Sequence, residues 1–281
     1  MSISNLQIIG ESINDSVPST RGLFDVGDIE GIKELARLQV AGGASYIDVN
    51  VGGRSSEFFV TIIQEIQQAV QKPLSIDTPD PLMASAALSV YDDSAGKPIL
   101  NSISPLRMSM FELYKVKPFR PILLISESVN GACRTAEETY DAARLMLDEA
   151  RRAGIPNEDL IYDPGIAPIG SDSEGNLARL LTALKMIQAN KDFEGVHASV
   201  GLSNFTVMLP PKRRVDGTPV KSPLESAFLT RAMPLGLDYV VGSVKRNYTT
   251  LPEDHPALIC IDECLKTTGF ESIMRVRKFY K

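Results

Sequence analysis

Pro73-Leu74-Ser75-Ile76-Asp77 is a short apolar run that ends on a carboxylate, and after Thr78-Pro79-Asp80 it gives way to a predicted helix over Pro81–Val90. The same unit recurs on both sides. Glu11 follows Leu6–Gly10, Asp48 and Asn50 follow Ser45–Ile47, Asn101 follows Ile99–Leu100, Asp163 follows Ile161–Tyr162, and Asn204 follows Val200–Ser203. If the apolar segments are parallel strands, all these side chains converge on one rim of one sheet. Barrel enzymes of alternating strands and helices keep their chemistry on that rim.

Extended outward, the pattern predicts strands at Leu6–Ile9, Tyr46–Val49, Pro73–Ile76, Ile99–Leu100, Ile122–Ile125, Leu160–Tyr162, Val196–Val200 and Tyr239–Val241. Helices are expected at Ile29–Ala41, Glu57–Val70, Pro81–Val90, Met108–Tyr114, Ala136–Ala153, Leu177–Asn190, Leu224–Pro234 and Pro256–Leu265. In the first of these, Ile32, Leu35, Ala36, Leu38 and Gln39 fall at helical spacing and Gly42-Gly43 supplies a stop. Strand–helix units in this number close an α/β barrel, and 281 residues with 43% apolar content suit a single (β/α)8 domain over 1–281. An open doubly wound sheet is the rival, but no Gly-rich dinucleotide fingerprint accompanies it. Two connections exceed what a barrel needs, Ser12–Asp28 and Phe205–Pro223, and long loops on the strand-end face usually serve binding.

The net charge of −6 argues against broad binding to nucleic acid or an anionic membrane, which requires clustered Lys and Arg. No run is long and apolar enough for a bilayer, and Met1–Gly10 does not read as a signal peptide, so a cytoplasmic protein is expected. Cys133, Cys260 and Cys264 are scattered, and His197 and His255 are the only histidines. Disulfides are not expected, and Cys260, Cys264 and His255 make a poor ligand set, so no bound metal is expected either.

Asp77, Asn101 and Asp163 offer acceptors and a donor for a flat heterocycle carrying amide, ring N–H and exocyclic amino groups. That pattern fits a pterin or a purine. An Asp or Asn ending a strand also caps the helix that follows, so each residue alone says little. No Ser–His pairing and no strand-end histidine supports base-driven nucleophilic catalysis.

These residues resemble the pterin-binding barrels, and within them the methyltetrahydrofolate:corrinoid-protein methyltransferases. The resemblance rests on Ile9-Gly10-Glu11-Ser12-Ile13-Asn14, on Gly42-Gly43-Ala44 leading to Asp48-Val49-Asn50-Val51-Gly52, on Ser75-Ile76-Asp77-Thr78, Leu100-Asn101-Ser102 and Tyr162-Asp163-Pro164-Gly165, and on Gly201-Leu202-Ser203-Asn204. They stand in family order across most of the chain. The resemblance implies that Asp77, Asn101 and Asp163 bind the pterin of tetrahydrofolate or methyltetrahydrofolate, with Glu11 and Asn14 on the floor and Asn204 as the catalytic amide near N5. It further implies a homodimer and a partner protein that brings the corrinoid, since no Asp-x-His-x-x-Gly cobalamin signature is present. Leu209–Ser222 looks like an insertion; its Lys212 or Arg213 would meet the pterin or the folate glutamate tail. Dihydropteroate synthase is one alternative, although its late strand-end Lys and Arg-x-His group do not stand in the expected places. A non-catalytic folate-binding subunit is the other.

Overall fold

The computed structural model describes residues 3–281. Eight parallel strands form one sheet: β1 Gln7–Asn14, β2 Tyr46–Asn50, β3 Leu74–Asp77, β4 Ile99–Ile103, β5 Arg120–Leu124, β6 Ile161–Asp163, β7 His197–Ala198 and β8 Tyr239–Gly242. Their order is β8-β1-β2-β3-β4-β5-β6-β7. Two isolated parallel bridges, Ala198 with Leu237 and Gly201 with Val241, draw β7 towards β8 and nearly close the barrel. Between and beyond the strands lie α1 Pro18–Val26, α2 Ile29–Ala41, α3 Ser56–Ala69, α4 Pro81–Val90, α5 Ala136–Arg152, α6 Asn176–Ala189, the four-residue α7 Leu202–Phe205, α8 Lys221–Ala232, α9 Pro256–Cys264 and α10 Gly269–Tyr280.

Local chemistry starts these helices where the strand ends need them. Asp28 accepts from the Gly31 amide at the head of α2, and Asp80 accepts from Leu82 and Met83 at the head of α4 with Pro81 in the first turn. Thr135 and Glu138 form a capping box on α5. Packing then holds the helices down. On α3 the residues Phe59, Ile62, Ile63 and Ile66 are fully buried, each burial contributing roughly 1.5–3 kcal/mol.

Three apolar clusters result. One gathers the flanks of β2 to β6 and α2 to α5; another gathers β7, β8, α6 and α8 to α10. The third lies inside the barrel and comprises Ile9, Ile99, Ile122, Ile161 and Tyr239. At the N-terminal end of the barrel Arg120 donates to the Tyr46 hydroxyl at 3.1 Å and to that of Tyr239, and its guanidinium lies 5.3 Å from the Tyr239 ring centre. The barrel is therefore packed below its strand-end rim.

Several elements differ from expectation. The Ser12–Asp28 connection carries the end of β1 and the helix α1, with Pro18 in its first turn rather than in a loop. Arg54 pins α1: it donates to Asp15 and Asp25 and lies over the rings of Phe24 and Phe58 at 5.0 and 5.6 Å. Met108–Lys115 is a 3-10 segment, β7 is shorter than predicted, and α10 was not anticipated. Among the described residues no helix is long and apolar enough to cross a membrane.

Candidate active site

A cavity of about 700 Å³ opens at the strand-end rim. Its lining includes Glu11, Asn14, Asp48, Asp77, Asn101, Asp163, Ser203, Asn204 and Lys245, with Ser16, Val17 and Ser19 contributed by the approach to α1 and its first turn. Six of the eight residues predicted for the site thus meet in one space. A second cavity, of about 420 Å³, lies beside β7 at the other end of the strands near His197 and holds none of them.

The acidic side is built by β2, β3, β4 and β6. Asp77 accepts from the Asn50 amide at 2.9 Å, and the Asn50 carbonyl oxygen accepts from Gly52 N at 2.8 Å. Asn50 therefore makes the turn and aims Asp77 at once. Asn101 Nδ2 donates to Asp48 at 3.3 Å. Asp48 lies beside Asp77, and both carboxyls are raised, chiefly by burial, with the Asp77 charge pushing Asp48 further, so the pair favours retaining a proton.

Asp163 is raised to about 6 by burial, against the Gly165 amide donating to it at 2.8 Å and the nearby Arg179 charge. Arg179 is itself buried on α6. It donates to Thr139 at 2.8 Å and to the carbonyl of Pro164 at 3.0 Å, fixing the turn that follows Asp163.

Only an ionised Asp163 could accept a pair of ring N–H donors, so a flat ligand presenting them there would compete with the proton that burial favours. The affinity of such a ligand is expected to fall about tenfold for each pH unit below about 6. Calorimetric titration from about pH 7 to about pH 5 checks this, with Asp163→Asn, which retains only the titration of the Asp48–Asp77 pair, as the shallower control. A wild-type profile parallel to that of Asp163→Asn would assign the titration elsewhere.

The opposite side belongs to β1, β7 and β8. Glu11 accepts from the Ser203 hydroxyl; burial raises its carboxyl, while Ser203 and Arg246 draw it back. Asn14 Oδ1 accepts from the amide and hydroxyl of Ser16, shaping the turn into α1. Asn204 stands in α7 with its amide folded over Gly201. A Cβ on Gly201 would lie 2.9 Å from Asn204 Nδ2, so only glycine leaves that amide its room.

Lys212 and Arg213, expected at the substrate, do not line the cavity. Arg213 donates to the Phe279 carbonyl at 2.9 Å and to Asp216 at 2.9 Å, and lies 5.1 Å from the Phe279 ring centre. Its guanidinium sits at the C-terminal end of α10, where unpaired carbonyls favour a cation. The cavity's basic group is Lys245, which sequence reasoning missed. It follows the end of β8 in Ser243-Val244-Lys245-Arg246. Cys260 and Cys264 are buried, and His255 Nδ1 accepts from Ala257 N at the head of α9. Among the described residues no three His, Cys, Asp or Glu side chains group to hold a metal ion.

Residues 13–241 match the family model described as pterin binding enzyme. A methylcorrinoid:tetrahydrofolate methyltransferase of Eubacterium limosum is 25% identical over 243 residues, covering 83% of each chain. Dihydropteroate synthase of Synechocystis sp. is 29% identical over 177 residues, covering 54% of this chain and 58% of its own. Among solved structures, a dihydropteroate synthase of Xanthomonas albilineans superposes with a TM-score of 0.61 at 19% identity, over 88% of this chain and 91% of that one. One of Yersinia pestis gives 0.56 at 20% identity over 92% of each. At those identities the two structures speak for the shared barrel alone.

Proposed function

The chain belongs to the pterin binding enzyme family, and on that premise we propose that it moves a methyl group between N5 of tetrahydrofolate and the cobalt of a corrinoid carried by a separate protein. The observation that carries the reading is that Asp77, Asn101, Asp163 and Asn204, carried by four different strand ends or turns, line one cavity together. The similarity to a methyltransferase over 83% of both chains supports the same reading.

In this reading Asp77, Asn101 and Asp163 hold the ring through its N–H groups, and Asn204 acts at N5. A tertiary amine is a poor leaving group: as its bond to methyl breaks, the electron pair stays on N5, which takes up a proton from solvent, and until it does the developing negative charge must be met by a donor. The Asn204 amide meets it directly or through a water it orients, and a donor that gains strength in the transition state lowers the barrier. The cobalt accepts or supplies the methyl group. The open strand-end mouth lets it approach from outside, with the reacting atoms brought to about 3–3.5 Å. Methyl transfer from methyltetrahydrofolate to free cob(I)alamin tests the proposal; a folded protein that binds the folate but transfers nothing to cob(I)alamin or to any corrinoid protein would refute it.

A pterin synthase is the second reading, favoured specifically by Lys245 at the rim, where an anionic leaving group would find a cation. Condensation of a pterin pyrophosphate with an aromatic amine is the assay that would elevate it.

For a folate, Lys245 takes the role first expected of the 212–214 run. Lys245→Gln is expected to weaken a polyglutamylated folate about two- to fivefold more than the monoglutamate, the gap closing as salt rises. Gln at Lys212, Arg213 and Arg214 together should leave both affinities within about twofold, because the Arg213 guanidinium is engaged at α10. The reverse ranking in titration would return the recognition to the loop.

A further inference from the structure

Behind the Asn204 side of the cavity lies a buried acid that touches no substrate position. Glu225 on α8 is fully buried. One of its carboxylate oxygens accepts from the Thr206 hydroxyl; the other stands 3.4 Å from Arg246 Nε and has no hydrogen-bond partner. Thr206 is itself fully buried, two residues after Asn204, and Arg246 directly follows Lys245. Glu11 feels the same Arg246 charge, and Glu11 in turn accepts from Ser203. The Tyr248 ring closes the cluster from below, its hydroxyl so near Gly242 that a Cβ there would lie 2.7 Å away. Glu225 thus reaches both turns that carry the reactive side of the cavity, the one after β7 and the one after β8. Burying a carboxylate is costly, and a well-packed apolar residue in such a place is often neutral or stabilising. Stability alone gives this acid no reason to be there; holding two turns in register does.

We infer that Glu225 is the positioning residue of the reactive side, fixing Asn204 through Thr206 and Lys245 through Arg246. The inference deepens the proposed methyl transfer, in which Asn204 is the catalytic amide. It predicts a split between binding and chemistry, because the pterin clamp stands on β3, β4 and β6 and shares no bond with Glu225.

The experiment compares Glu225→Leu, Glu225→Gln and Thr206→Val in the full chain. Glu225→Leu is expected to slow single-turnover methyl transfer about 10–100-fold per folded molecule, the cost of a misplaced amide, with the Kd of monoglutamyl methyltetrahydrofolate within about twofold. Glu225→Gln keeps an acceptor for Thr206 and should recover most of the rate. Thr206→Val breaks the same link from the other side, and serves alone if Glu225→Leu does not fold. With the protein labelled at asparagine nitrogen, the Asn204 side-chain resonance should shift in Glu225→Leu and in Thr206→Val, and stay near its wild-type place in Glu225→Gln. Unchanged Asn204 resonance and an unchanged rate in the folded variants would overturn the inference, as would a rate loss wholly explained by weaker folate binding. If wild-type protein transfers no methyl group, the proposed function falls, while the Asn204 resonance still decides whether Glu225 positions that amide.

Discussion

Asn204→Ala is expected to lower the single-turnover rate of methyl transfer by about 10²–10³, the usual loss for one donor to a developing charge. Ground-state affinity for methyltetrahydrofolate should change far less. The asymmetry follows from where the amide stands. Asn204 is carried by a four-residue helix after β7 and shares the cavity lining with Asp77, Asn101 and Asp163, which stand on other strands. Removing it leaves every group on the acidic side in place. The methylated nitrogen of the substrate is already neutral and weakly basic, and it demands a donor only as the methyl leaves. Rapid mixing with cob(I)alamin beside equilibrium titration separates the two quantities. A rate loss that disappears at saturating folate would reduce Asn204 to a binding residue.

Asp163→Ala is expected to act the other way round, on affinity first. A pterin whose N–H donors are buried against Asp163 loses their acceptor when the carboxylate goes, which costs about 1–3 kcal/mol and thus roughly 5- to 150-fold in Kd. Stability should not follow affinity. The Asp163 carboxyl is raised to about 6, above its ordinary range, by burial. Such a group contributes stability in full only below the unfolded pKa, near 4, and that contribution is lost as pH rises through about 6. At neutral pH the ionised side chain is a burden that the fold tolerates, so the neutral Asp163→Asn is expected to unfold at equal or higher urea than wild type while binding pterin poorly. Loss of stability and retention of affinity together would remove Asp163 from the ring site.

The barrel was legible because its strands are short apolar runs closed by a polar residue, as in Leu74–Asp77, and because helix starts such as Asp80-Pro81 follow at once. The acidic side was legible for the same reason: Asp77 and Asp163 each end a strand, and Asn101 interrupts the apolar run Ile99–Leu100 within β4. What escaped depends on contacts that no local pattern carries. In α1 only Thr20 and Phe24 are buried, so the helix lacks a wide apolar stripe, and Pro18 and Gly22 read as loop residues until Arg54 is seen clamping the segment. Arg213 looked like a substrate ligand because the α10 carbonyl it meets lies 66 residues further on. Lys245 escaped because a lysine beyond the end of β8 has no periodicity to flag it. Only the closing of β7 towards β8 brings that turn beside Asn204.

The two outer clusters divide the site along its chemistry. Leu74, Leu100 and Tyr162, from the strands that carry Asp77, Asn101 and Asp163, belong to one; Leu202, Phe205 and Val240, which flank Asn204 and precede Lys245, belong to the other. Substitutions that repack the second cluster can redirect what is done to a bound ring without disturbing how the ring is held. Were the roles proposed for these residues to hold, recognition and reaction would rest on two separately packed halves of one barrel, each open to change with the other left in place.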